Sequence, residues 1–162
     1  MEIDFGGIGK EYAADRVASI VAGHGIEHAL VNLGGDVRAV GGQGDDAPWR
    51  VGIRHPRREQ VVIAMVELRG GAVATSGDYE RYFELDGRRY CPILDPRTGA
   101  SPHAVASATV VAPNAMLADA LATAAFVLGP VDGIALLERL GVDGLMFTPD
   151  LERHETRGLR DA

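Results

Sequence analysis

Asp119 and Thr123 stand four residues apart in a stretch where everything else between Asn114 and Asp132 is apolar, glycine or proline. On a helix, that spacing projects a carboxylate and a hydroxyl from one face. A carboxylate carried into a core without a partner is costly, so something must compensate it. A hard divalent cation such as Mg2+ takes such oxygens together with backbone carbonyls and phosphate oxygens. A salt bridge to an arginine, or a cap on a neighbouring loop, would serve the carboxylate equally well. A second candidate is Asp4-Phe5-Gly6-Gly7-Ile8-Gly9-Lys10, a glycine-rich bend that feeds a helix. Glycines let backbone approach a ligand, and free N–H groups at a helix start favour anions. Lys10, the only lysine in a chain that otherwise uses arginine, adds a full charge suited to phosphate. The pattern is neither a P-loop nor a dinucleotide fingerprint, and a plain glycine turn before a helix reads the same way.

Ala74-Thr75-Ser76-Gly77 and Asp95-Pro96-Arg97-Thr98-Gly99 fall at strand ends, where loops display functional groups, yet both are also good turn sequences. His24 and His28 are separated by Gly25, and no cysteine or third histidine completes a zinc set. His55, His103 and His154 are isolated in loops or near the terminus, and Ser76 has no histidine at a diagnostic spacing. Cys91 is the lone cysteine, so no internal disulfide forms and a reduced thiol is expected.

The elements that must position these groups follow from periodicity and punctuation. Gly9 to Ala22 reads as a helix with Ala13, Val17, Ile20 and Val21 on its apolar side and Glu11, Asp15 and Ser19 opposite. Ala29–Leu33 and Val37–Val40 read as two strands around Gly34-Gly35-Asp36, or as one bent strand with a glycine kink there, and Trp49–Ile53 as another. Val61–Leu68 and Gly71–Thr75 meet at Arg69-Gly70-Gly71, and Tyr79–Leu85 pairs with Arg88–Leu94 across Asp86-Gly87. Ala104–Ala112 is a strand, Asn114 caps a helix over Ala115–Leu128, a second helix covers Val131–Leu140, and Gly144–Phe147 is the last strand. This order implies an α+β fold, a largely antiparallel sheet with helices packed on one face.

Composition sets the outer bounds. The 162 residues, 46% hydrophobic and 24% charged, suit one ordinary folded domain rather than a disordered tail. The net charge of −7, with basic residues scattered apart from Arg54, Arg57 and Arg58, argues against a nucleic-acid groove. No run reads as a membrane span. Met1 is followed at once by Glu2 and Asp4 with no signal-peptide pattern, so a cytoplasmic location is expected, or an extracytoplasmic one if the N-terminus is truncated.

Taken together and in this order, the segment from Asp4 to Asp15, then Val31 to Asp36, Trp49 to Ile53, Ala74 to Gly77, Asp95 to Gly99 and Ala118 to Thr123 resemble the ApbE family. The resemblance implies an ApbE-like, T-fold-related single domain over residues 1–162. Its members are FAD:protein FMN transferases, which use Mg2+, cleave the pyrophosphate of FAD, attach FMN through a phosphoester to a Ser or Thr of a target protein, and release AMP. Carried across by position, the metal ligands would be the Asp119 carboxylate, the Thr123 hydroxyl and the Gly7 carbonyl. FAD contacts would fall on Asp4, Lys10, Leu94 and Ala122, with Thr75, Ser76 and Gly77 lining the same cleft.

Two departures qualify that expectation. Family members commonly place a histidine three residues before the Asp-Pro aspartate, and here that position is Pro92, which cannot move a proton. A general acid or base contributes about 10²- to 10⁴-fold; His103 is the weak substitute. The chain also lacks the family's N-terminal portion, so a second copy or another chain would complete the pocket. The alternatives are a relative that binds or hydrolyses FAD without transferring FMN, and a ligand-free interaction remnant.

Overall fold

The computed structural model describes residues 3, 5–45 and 47–160, with the backbone alone for residue 160. Among these residues, ten strands and four helices run α1 (Gly9–Gly23), β1 (Ala29–Leu33), β2 (Asp36–Val40), β3 (Trp49–Arg54), β4 (Val62–Leu68), β5 (Gly71–Gly77), β6 (Phe83–Leu85), β7 (Arg88–Tyr90), β8 (Ser107–Ala112), α2 (Ala115–Leu128), α3 (Pro130–Leu140), β9 (Asp143–Phe147), β10 (Arg153–Glu155) and α4 (Arg157–Arg160). Six strands form one sheet in the order β1-β2-β5-β8-β9-β10, antiparallel throughout. The expected α+β architecture is present, and none of the helices is long and apolar enough to cross a membrane among the described residues.

Strand alternation divides the core in two. Ala72, Ala74, Ala108 and Val110 point to the helices, where they meet Ala14, Ala118, Ala122, Phe126 and Leu137. Val37, Ala39 and Val73 point the other way, onto Ile53, Val66 and Leu68 of the β3–β4 hairpin. The helix side is rich in alanine, so helices lie close to the sheet. The hairpin is pinned over the opposite face by Arg57, whose guanidinium holds both oxygens of Asp78 at 2.6 and 2.8 Å just beyond β5.

Several expectations change. Val61–Leu68 and Gly71–Thr75 do adjoin a turn, but they join different sheets: β4 pairs only with β3, and β5 sits between β2 and β8. The Asp86-Gly87 hairpin pairs only Phe83–Leu85 with Arg88–Tyr90. The chain does not end its sheet at β9, because β10 adds an edge strand and α4 follows. The largest correction concerns α1. Glu11, Ala14 and Ala18 are its buried residues, whereas Ala13, Val17 and Ile20 face solvent. Alanine at two successive turns lets α1 approach β1, β2 and α2 closely, and Glu11 lies on that same stripe.

Candidate active-site cleft

α1 and α2 are registered by one side chain. The Asp15 carboxylate accepts the free N–H groups of Ala115 and Met116 at the start of α2, at 2.9 and 3.1 Å, and pairs with Arg38 at 3.1 Å. Asn114 caps the same terminus by accepting from Leu117 N–H at 2.9 Å. Two orphan N–H groups and the positive end of the helix are thereby satisfied from α1. The consequence is geometric: Lys10 and Glu11 of α1 are held beside Asp119 and Thr123 of α2.

A third contribution comes from the β1–β2 turn. Gly34, at φ +63°, occupies the left-handed region, and the Lys10 stem crosses it with Cδ 3.4 Å from where a Cβ would stand. The turn delivers Asp36, whose carboxylate accepts from Lys10 and from Thr75 N–H. Lys10 Nζ also lies 2.5 Å from Glu11 Oε1. Glu11 and Asp36 are buried, at 2% and 6% exposure, and carboxylate oxygens of Glu11, Asp36 and Asp119 lie within 4.8 Å of one another.

The electrostatics follow from this crowding. Burial works against the charge on Lys10, but its hydrogen bonds to Asp36 and Glu11 hold its pKa above the ordinary lysine value. Burial pushes Asp36 up. Asp119 is pushed up to about 6, first by burial and then by the charges of Glu11 and Asp36. Among the described residues no hydrogen bond or ion pair reaches its carboxylate, so the arginine partner considered from sequence is absent there.

These groups open on a cleft of about 840 Å3 between the helix end of the sheet and the β3–β4 hairpin. Gly7, Lys10, Thr75, Ser76, Asp119 and Thr123 all line it, as do Arg50 and Arg54 on the hairpin wall. The Ser76 and Thr123 hydroxyls are hydrogen-bonded at 2.8 Å, tying β5 to α2 at the cleft edge. Gly77 serves the cleft indirectly: a Cβ there would fall 2.4 Å from the ring of Tyr79, which reaches the cleft beneath the Arg54 guanidinium.

Other expected site residues stand apart. Ala122 is fully buried in the helix–sheet core and Leu94 is 55% exposed; the cleft is lined instead by its neighbour Ile93. His103 stacks edge-on with Tyr90 and borders a different depression, with Arg57, Asp78 and Arg88. Asp4 lies outside the described residues. Pro92 is exposed, next to buried Cys91, whose backbone N–H and thiol both contact the Ser101 hydroxyl. The Asp95-Pro96-Arg97-Thr98-Gly99 segment is a self-bonded turn, in which Arg97 grips Asp95.

Glu11, Asp36, Arg54 and Tyr79 were not among the expected site residues. Glu11 is adjacent to Lys10, but helix phase assigned it to solvent. Asp36 reads as part of a turn, and only strand pairing brings it to the floor.

A family model described as the ApbE family matches residues 1–146. The FAD:protein FMN transferase of Escherichia coli K12 is 38% identical over 156 residues, covering 95% of this chain and 44% of the relative. That of Treponema pallidum is 41% identical over 172 residues, covering 99% and 48%. The crystal structure of the ApbE protein from Thermotoga maritima matches with a TM-score of 0.90 at 40% identity, over 98% of this chain and 52% of that one. The apo flavinyl transferase ApbE of Pseudomonas stutzeri matches with 0.84 at 38% identity, over 99% and 51%. The chain thus spans about half the length of the relatives it matches.

Proposed function

We propose, from the premise that this chain belongs to the ApbE family, that it works as a single domain in Mg2+-dependent transfer of FMN from FAD to a Ser or Thr hydroxyl of a target protein. The observation that carries this reading is the cluster of Asp119, Asp36 and Glu11 around Lys10, placed in one cleft with Thr123 and facing Arg50 and Arg54. In the transfer, the acceptor oxygen bonds to the FMN phosphorus and loses its proton. The bond from that phosphorus to the bridging oxygen breaks, and AMP leaves.

Phosphoryl transfer asks a protein mainly to position groups and neutralise charge. Arg50 and Arg54 bring guanidinium groups to the hairpin wall, where they pair with Glu67 and Glu80, and Lys10 brings an ammonium to the floor, where it pairs with Glu11 and Asp36. The donor set fits a hard cation, because Asp119 is crowded by two further carboxylates and has no cationic side chain bonded to it. Asp119, Thr123 and the Gly7 carbonyl would hold Mg2+, whose charge when bound would neutralise the pyrophosphate oxygens. Thr75 and Ser76 offer hydroxyls to the phosphate oxygens from β5. The buried carboxylates also speak against a ligand-free remnant, since a fold without a ligand gains nothing from carrying them.

A second reading, FAD binding or hydrolysis without transfer, draws on Pro92, which supplies no group to take the acceptor's proton. Incubation with FAD, Mg2+ and an acceptor domain bearing a target Ser or Thr separates the two. Transfer yields a fluorescent acceptor band in the gel together with free AMP. AMP without a labelled acceptor supports hydrolysis, and neither product together with unchanged FAD fluorescence overturns both readings.

A further inference from the structure

The cluster holds more carboxylate than the ligand set above uses. Glu11 Oε1 is satisfied by Lys10, but Glu11 Oε2 is sealed from solvent without a hydrogen-bond partner. A buried carboxylate oxygen left in this way is costly, and such groups are ordinarily paired or bound to metal. With all three carboxylates ionised, as a bound cation would hold them, one ammonium leaves two negative charges, the charge that one divalent cation cancels. The spacing also suits an ion: ligand oxygens on opposite sides of a cation with ~2.0–2.6 Å bonds stand about 4–5 Å apart, and these lie within 4.8 Å.

We propose that Glu11 and Asp36 join Asp119 in a divalent-cation site built from protein oxygens alone, which fills before any nucleotide binds. The inference rests on the flavin-transfer reading only in taking Asp119 as a ligand. Lys10 is the exchangeable counter-charge. Its side chain is 42% exposed, so its ammonium can leave Glu11 and Asp36 for the cleft when the cation arrives. Loading the ion thereby turns Lys10 from an internal ion pair into a free cation facing the cleft.

Mn2+ titration of the nucleotide-free protein, followed by electron paramagnetic resonance and by thermal melting, tests this. The expected result is one bound Mn2+ per chain and a melting temperature raised by about 5–10 °C at a hundredfold excess over Kd. Glu11→Gln and Asp36→Asn should each weaken Mn2+ at least tenfold. Glu11→Gln should melt no lower than the parent without metal, because Lys10 keeps Asp36 as its partner while a buried carboxylate oxygen without a donor gives way to a neutral amide, yet lose the Mn2+-dependent rise. Absence of Mn2+ binding without nucleotide overturns the proposal and leaves the AMP assay to judge flavin transfer separately. It is equally overturned if Glu11→Gln binds Mn2+ like the parent, or if it lowers the metal-free melting temperature and keeps the rise.

Discussion

Replacing Asp15 by alanine removes the side chain that ties α1 by hydrogen bonds to the start of α2. The parent carboxylate accepts two N–H groups of α2 at 2.9 and 3.1 Å and pairs with Arg38 at 3.1 Å, with both side chains mostly buried. Loss of a helix cap costs about 0.5–2 kcal/mol. The charge at the helix N-terminus adds about 0.3–1 kcal/mol, and Arg38 is left with a partly buried, unpaired charge. Together these give roughly 2–3 kcal/mol, or about 5–10 °C in a domain of this size. Asn114→Ala is the internal comparison, since it removes a single exposed cap bond at the same terminus and should cost about 1 kcal/mol. Urea denaturation of both variants, with slopes compared to confirm two-state behaviour, measures the difference. If Asp15→Ala costs no more than Asn114→Ala, Asp15 does not hold the two helices in register and the account of how the cleft is assembled fails.

Asp119→Ala should abolish Mg2+-dependent retention of FAD, read as loss of the Mg2+ effect in a fluorescence titration. Because the folded pKa of Asp119 is raised from 3.8 to about 6, the metal-free folded state holds that proton more tightly than the unfolded chain. Its contribution to stability is therefore present below about pH 4 and lost as pH rises through about 6, and the denaturation midpoint of Asp119→Asn should lack this component of the fall. Pro92→His should raise transfer, by about 10²- to 10⁴-fold if proton transfer limits it; unchanged transfer in the acceptor-labelling assay would refute the role assigned to that position. On α1, Ala14→Leu should destabilise by about 1–3 kcal/mol by overpacking a fully buried site, whereas Ile20→Lys should stay within about 0.5 kcal/mol because Ile20 is exposed. Equal costs in chemical denaturation would contradict the observed helix face.

Much of the architecture was legible from local signals. Asn114 and Gly129 bound α2 as their capping chemistry predicts, and the Gly34-Gly35 turn separates β1 from β2. The carboxylate and hydroxyl of Asp119 and Thr123 lie in one cleft, as their four-residue spacing on α2 implied. Periodicity misplaces the face of α1 because its larger apolar residues, Val17 and Ile20, are the exposed ones, while two alanines make the contact. Periodicity weighs hydrophobicity, but close packing against a sheet selects for small size. The Arg69-Gly70-Gly71 turn was visible as a turn, yet nothing local states that β4 and β5 part into different sheets around it.

Helix limits, turn positions and the Asp119–Thr123 pair depend on neighbours within a few residues, and so they are written in the order of the chain. The grouping of Glu11 with Asp36 and Asp119 is not. It arises because β2 pairs with β5, α2 lies across β5 and β8, and the Asp15 cap sets α1 beside α2. Residues separated by about a hundred positions then share one low-dielectric volume, where their charges act on one another strongly. What chemistry Asp119 can do is a property of its side chain; its pKa, and the Glu11 oxygen left without a donor among the described residues, are properties of the fold.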